Sequence, residues 1–154
     1  GVLGIRTYEG DEVISMEVLE SDSNAMLLTV TENGYGKRTA FAEYSRHARG
    51  GRGVITIQTT ERNGSVVAAL KVAQEEELML ISSGGKIIRL RVADIRAVSR
   101  NTQGVRLINM EGDEKLVGVA RLAEKGENPE ASDTPEGTTT SEAANLDDVS
   151  GEPQ

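Results

Sequence analysis

Between Gly34 and Gln58 the sequence carries Lys37, Arg38, Arg46, Arg49 and Arg52 against a single acid, Glu43. Between Gly85 and Leu107 it carries Lys86, Arg89, Arg91, Arg96, Arg100 and Arg106 against a single acid, Asp94. Cations at this density suit contact with a regularly charged polymer: they neutralise phosphates, release counterions and bind without regard to sequence. In Ile88-Arg89-Leu90-Arg91-Val92 the alternation of an extended chain sends the apolar residues to one face and both guanidinium groups to the other. The competing reading is a solvated strand face, since about one residue in four is charged in ordinary domains. What favours phosphate is the phasing: the two clusters hold eleven of the sixteen cations of residues 1–122 and fall at matching positions of a repeat.

The segment His47-Ala48-Arg49-Gly50-Gly51-Arg52-Gly53 has a second possible role, because glycines let backbone amides approach an anion while Arg49 and Arg52 supply charge. A flexible connector between repeats fits the same residues. It lacks the Gly-Lys-Ser/Thr ending and following helix of a nucleotide-binding loop. His47 is the single histidine and has no partner in the pattern for catalysis or metal binding. Glu75-Glu76-Glu77 reads as a solvated turn rather than a cation site, because no spaced ligand set accompanies it. Tyr8, Tyr35 and Tyr44 have no local base that would make a nucleophile. The sequence shows no active site.

Elements that would position these cations emerge when the chain is slid against itself. At an offset of 51, Leu27 meets Leu78, Gly34 meets Gly85, Arg38 meets Arg89, Arg49 meets Arg100, Gly53 meets Gly104, Val54 meets Val105 and Ile57 meets Ile108. At an offset of 52, the opening Gly1 to Ile5 meets Gly53 to Ile57, so the chain starts at a seam between units. Apolar or alternating runs predict strands at Val13 to Leu19, Met26 to Thr31, Val54 to Thr60, Val66 to Val72, Leu78 to Ser82, Ile87 to Val92, Val105 to Met110 and Leu116 to Leu122. Glu32-Asn33-Gly34-Tyr35-Gly36 and Ser83-Gly84-Gly85 supply hairpin turns. The prediction is an all-β fold of propeller-type blades, each of about four antiparallel strands, with between two and three blades present. A partial set of blades leaves a strand edge or blade face uncovered.

The net charge of −8 argues against a nucleic-acid partner until it is located. Residues 1–122 hold 16 Lys and Arg against 16 Asp and Glu, and residues 123–154 hold nine acids against Lys125, so the whole excess lies in the tail. That tail is rich in Glu, Asp, Ser, Thr, Gly and Pro, cannot bury enough surface to offset ordering, and is expected to be disordered. Only 3% of residues are aromatic and none is Trp, so β-branched and aliphatic side chains must form the core. With no cysteine, disulfides, thiolate metal sites and a Cys nucleophile are excluded. No apolar run approaches a membrane span. The opening Gly1-Val2-Leu3, without Met, is expected of a piece of a longer chain.

Three segments carry a resemblance: Asn33-Gly34-Tyr35-Gly36-Lys37-Arg38-Thr39, Thr60-Glu61-Arg62-Asn63-Gly64 and Arg100-Asn101-Thr102-Gln103-Gly104-Val105. In this order they resemble the C-terminal domain of DNA gyrase A, over about residues 1–122. The resemblance implies a six-bladed β-pinwheel whose basic perimeter bends and wraps double-stranded DNA, so that the enzyme, a type II topoisomerase, introduces negative supercoils using ATP. His47 to Gly53 resembles the family's Gln-Arg-Arg-Gly-Gly-Lys-Gly box from Arg49 on, with Arg52 in place of its Lys, and departs from it at His47 and Ala48. It is read as an internal relative of that box. The implied DNA contacts are Lys37, Arg38, Arg46, Arg49, Arg52, Lys86, Arg89, Arg91 and Arg100. The implied partners are the rest of gyrase A, together with gyrase B, in an A2B2 heterotetramer in the bacterial cytoplasm, at the nucleoid. This chain is expected to hold no cofactor, ATP and Mg being bound elsewhere in the holoenzyme. The acidic tail is similar to tails that modulate wrapping by competing with phosphate for the same cations. The alternatives are the equivalent domain of topoisomerase IV, which decatenates and relaxes, and a propeller scaffold for protein partners.

Overall fold

A computed structural model describes residues 1–19 and 24–122, which lie within a compact unit, Gly1–Glu124. The chain forms β1 (Met26–Thr31), β2 (Tyr35–Ala40), a 3-10 turn at Phe41–Glu43, β3 (Val66–Val72), β4 (Glu77–Ser82), β5 (Ile87–Arg91), a second 3-10 turn at Val92–Asp94, β6 (Val105–Arg106) and β7 (Leu116–Leu122). One sheet runs in the order β3-β1-β2-β6 and the other β5-β4-β7. All pairings between these strands are antiparallel. No helix of the described residues is long and apolar enough to cross a membrane. The acidic tail, and the expectation of disorder there, fall outside the described residues.

Leu28 and Val30 of β1, Val72 of β3, Leu78 and Leu80 of β4 and Leu116 of β7 form one buried cluster with Val92, Ile95 and Ile108. Strand alternation explains the selection: β4 reads half-buried, buried, half-buried, buried, so only Leu78, Leu80 and Ser82 face fully inward. The predicted strands at Met26, Val66, Leu78, Ile87 and Leu116 are present within a residue of their expected limits. Three expectations fail. Val13 to Leu19 is exposed extended chain without a ladder, tied to β3 by a Ser15 Oγ hydrogen bond of 2.9 Å to the Ala69 carbonyl. Val54 to Thr60 forms no strand, with Val54 40% and Ile55 61% exposed. The run from Val105 shrinks to Val105–Arg106.

The two antiparallel sheets, of four and three strands, are the partial set of blades expected from the sequence, but the sequence repeats do not map onto them one to one. β6 belongs to the second repeat, yet it pairs with β2 of the first, Gly36 opposite Val105 and Tyr35 opposite Arg106. The backbones meet so closely that a Cβ on Gly104, at φ +77°, would stand 2.7 Å from the Gly36 carbonyl oxygen. Glycine is needed there on both counts.

Side chains of β2 complete this joint. Lys37 is 0% exposed, and its Nζ donates to the carbonyls of Ser99 (2.7 Å), Arg100 (2.5 Å) and Thr102 (3.3 Å) and to Thr102 Oγ1 (3.2 Å). Arg38 is buried too, with Nε donating to the Ile95 carbonyl at 2.7 Å and Nη2 to Ala93 at 3.4 Å. Thr39 Oγ1 donates to the Val98 carbonyl at 3.0 Å. Asn63, also fully buried, donates to the carbonyls of Gln58 (2.8 Å) and Gln103 (3.2 Å) and accepts from the Thr60 amide (2.7 Å). Lys37 and Arg38 are expected from the sequence to meet phosphate, and the structure corrects this: both are buried, with Lys37 Nζ and Arg38 Nε and Nη2 donating to carbonyls of the second repeat.

Burial lowers the Lys37 pKa from 10.5 to about 8, with Glu43 opposing the fall and Arg100 adding to it. Replacing Lys37 by Met should strand the carbonyls it serves and cost about 2–4 kcal/mol in denaturant unfolding at neutral pH, while duplex affinity per folded molecule stays unchanged. Because the folded-state pKa lies below the free value, the unfolded chain binds more protons between about pH 8 and 10.5. Stability from this group therefore rises with pH across that window and is flat below it. The difference between wild type and K37M should shift by a few kcal/mol at most over that range, in favour of wild type; a difference that stays constant contradicts the assignment.

Candidate nucleic-acid interface

The loop between Tyr44 and Gly53 presents Arg46, Arg49 and Arg52, all exposed. Two backbone bonds anchor it to the start of the chain, Arg6 N to the Gly51 carbonyl and Gly50 N to the Gly4 carbonyl, both 2.8 Å. The Gly50 amide is thus occupied and unavailable to an anion, and the connector is held rather than loose. Arg52 lies 4.6 Å above the Tyr8 ring centroid, with Nη1 donating to Tyr8 Oη at 3.3 Å. Arg46 and Arg49 form no ion pair or side-chain hydrogen bond among the described residues, so their charge faces solvent.

β5 behaves as its alternation predicts: Ile88 and Leu90 turn inward while Arg89 and Arg91 face out. Arg89 pairs with Glu77 on the neighbouring strand, and Arg91 with Asp94 at 3.0 and 3.1 Å. With Arg89 and Arg91 side chains 65% and 69% exposed, these are surface pairs. Solvent screening leaves such pairs weak, and a phosphate can replace the carboxylate. Arg96, in the basic cluster but outside the assigned contacts, is also exposed.

Two assigned contacts sit less well. Lys86 is held by Glu111 at 3.1 Å and Glu114 at 3.5 Å, and the Glu111 bond chiefly raises its pKa. Arg100 is half-buried, donating to the Ile55 carbonyl at 2.9 Å and lying 5.8 Å from the Tyr44 ring centroid, while its backbone amide donates to Glu43 at 3.0 Å. It ties the arginine loop to the joint. Positions matched at offset 51 thus meet different fates: Arg38 is buried where Arg89 is exposed, and Arg100 is tethered where Arg49 is not.

One cluster escaped the sequence. Tyr35, 3% exposed, sits under Arg62 and Arg106, whose guanidinium carbons lie 5.0 and 5.3 Å from its ring centroid. Both donate to its hydroxyl: Arg62 Nε at 3.1 Å, Arg106 Nη2 at 2.7 Å and Arg106 Nε at 3.2 Å. The bond from Arg106, then that from Arg62, holds the phenol below its ordinary pKa. Arg62 is visible in the sequence only as part of a motif and Arg106 only as part of a charged run, and no spacing rule joins residues so far apart. Among the described residues no group of three His, Asp or Glu side chains converges as a metal site.

The family model described as "DNA gyrase C-terminal domain, beta-propeller" matches residues 1–20, 25–73 and 76–123. The DNA gyrase A protein of Escherichia coli (strain K12) is 51% identical over 124 residues, covering 80% of this chain and 14% of that protein. Its counterpart in Pseudomonas aeruginosa is 45% identical over 143 residues, 93% of this chain and 15% of that protein. The chain therefore spans a small part of the relatives it matches. The solved DNA gyrase A C-terminal domain superposes with a TM-score of 0.70 at 31% identity, covering 80% of this chain and 41% of that one. The topoisomerase IV C-terminal domain superposes with a TM-score of 0.72 at 21% identity, covering 79% and 38%, a likeness of fold alone. With the model matching most of its length, the chain belongs to the DNA gyrase C-terminal domain family of β-propellers.

Proposed function

We propose that this chain binds and bends duplex DNA without regard to sequence, as part of the DNA-wrapping domain of a gyrase A protein. In that role it supports ATP-dependent negative supercoiling by an A2B2 enzyme of the bacterial cytoplasm, at the nucleoid, with ATP and Mg bound elsewhere. The observation that carries the reading is the set of exposed arginines, Arg46, Arg49, Arg52, Arg89, Arg91 and Arg96, in a domain of this family. None is held by more than a surface contact, so each can neutralise a phosphate. The 51% identity to a gyrase A protein favours that parent over topoisomerase IV, for which the support is fold alone.

Affinity for a long duplex should fall linearly on a log–log plot against salt, and each phosphate-contacting arginine removed should reduce the slope by about 0.9. Arg46→Glu with Arg49→Glu should weaken binding by more than about tenfold in roughly 50 mM salt, read by fluorescence anisotropy. A salt-insensitive complex, or a partner retained on pull-down with no mobility shift of duplex, would favour the protein scaffold instead. Removing residues 123–154 tests competition by the acidic tail: bending of a short duplex should increase at low salt, and equal bending with and without the tail sinks that idea.

A further inference from the structure

Tyr35, Arg62 and Arg106 border an open cavity of about 380 Å³, which Lys115 also lines. The Tyr35 hydroxyl already accepts three N–H donors from the two arginines. Its own proton finds no acceptor among the described residues. Neither Arg62 nor Arg106 forms an ion pair among the described residues, although both guanidinium groups converge on one oxygen. Two like charges and an undelivered O–H donor around a cavity lack the same thing, an anion with several acceptor oxygens.

The neighbouring groups do not supply it. Glu114 is turned toward the second repeat, bonded to Ser82 and pairing with Lys86 at 3.5 Å. Glu32 accepts from the Ser65 amide at 3.0 Å and stands 3.8 Å from Lys115. Lys115 Nζ donates to Asn33 Oδ1 at 2.5 Å, which aligns the ammonium beside the cavity with further N–H bonds to give. Asp113 is the one lining acid with no partner among the described residues, and it opposes an anion. The second repeat lacks the arrangement: Lys86 stands at the position of Tyr35, offset 51, and Glu111 and Glu114 neutralise it.

We propose that Arg62, Arg106, Lys115 and the Tyr35 hydroxyl form a phosphate-binding site, and that its occupant is a phosphodiester of bound duplex DNA. This rests on the DNA-binding reading above. Tyr35 is a positioning residue, fixing the Nε edges of both arginines so that their remaining N–H groups face one oxyanion. Arg62 bears the largest share because its terminal nitrogens have no hydrogen-bond partner among the described residues, whereas Arg106 Nη1 donates to Asn109 Oδ1 at 3.2 Å.

The test uses the full chain, a long duplex read by anisotropy across salt, and inorganic phosphate read by the arginine 15Nε resonances. Arg62→Gln with Arg106→Gln should weaken duplex binding at least about tenfold and reduce the log–log salt slope by about 1.8. Tyr35→Phe, which keeps both charges, should weaken binding several-fold with the slope unchanged, an effect that lost charge or general unfolding would not give. Asp113→Asn should tighten binding. Inorganic phosphate should shift the Arg62 and Arg106 resonances saturably in wild type and not in Y35F. If wild type binds duplex but the double variant binds it equally with full slope, the phosphodiester assignment is overturned. If phosphate gives no saturable shift either, the site itself is overturned. A wild-type chain that binds no duplex but does bind phosphate sinks the DNA-binding reading and leaves an anion site of another source.

Discussion

The Lys37 ammonium, buried under the backbone of the second repeat, is the constraint on which this molecule is built. A charge taken wholly out of water is tolerable only when protein dipoles replace the lost hydration, and the carbonyls at Ser99, Arg100 and Thr102 do so. They can converge only if residues 99–102 pass directly over β2. That passage delivers β6 to the edge of β2 and lets Arg38 reach the carbonyls of Ala93 and Ile95. Asn63 then closes the other side by holding Gln58 and Gln103 together. The hydrophobic cluster supplies bulk stability, but an apolar interface tolerates sliding, whereas directed bonds to named carbonyls fix one register.

This joint accounts for what was legible in the sequence. Strands β4 and β5 announce themselves by alternation, with Leu78 and Leu80, and Ile88 and Leu90, turned inward, and β1, β3 and β7 by short runs rich in Leu and Val. β2 reads in sequence as a turn and a basic run, since its inward residues are Gly, Lys, Arg and Thr, types that signal solvent unless their partners are known. Those partners lie some sixty residues away, as in Lys37 to Ser99, beyond any local window. The opposite happens at Val13 to Leu19 and Val54 to Thr60, where apolar alternation promises strands. A strand needs a neighbouring edge, and no described residue supplies one there. The repeat offset shows which positions correspond and not how each is covered, which is why Arg38 and Arg89 share a phase and differ in burial.

The segments that carry the family resemblance meet at the joint as well. Lys37 and Arg38 come from the first, Asn63 from the second, and Thr102 with Gln103 from the third. Their agreement in type is explained by mutual hydrogen bonding. A motif can therefore identify a fold while charged members such as Lys37 and Arg38 are spent on the joint and never touch the ligand. Most of the cations left for a polyanion stand outside the most recognisable part of the sequence, on the Tyr44 to Gly53 loop and the outer face of β5, with Arg62 of the second motif the exception.

Sequence-independent contact with a phosphate backbone sets a loose geometric demand, because counterion release depends on charge near the polymer more than on directed bonding. Arg46 and Arg49 meet it with no partner among the described residues, and Arg89 and Arg91 meet it by trading a weak surface carboxylate. Rigidity enters one level down, where the joint fixes how far apart the two sheets carry these groups, and a bent duplex needs cations at set intervals along its path. The same logic explains how a chain of net charge −8 can suit DNA. Residues 123–154 hold nine acids against Lys125 and account for the whole excess, so the average charge does not describe residues 1–122, where 16 cations stand against 16 acids. What selects the ligand is where the exposed cations are held, whereas Lys37 and Arg38, which the sequence places on the surface, are buried in the joint beneath them.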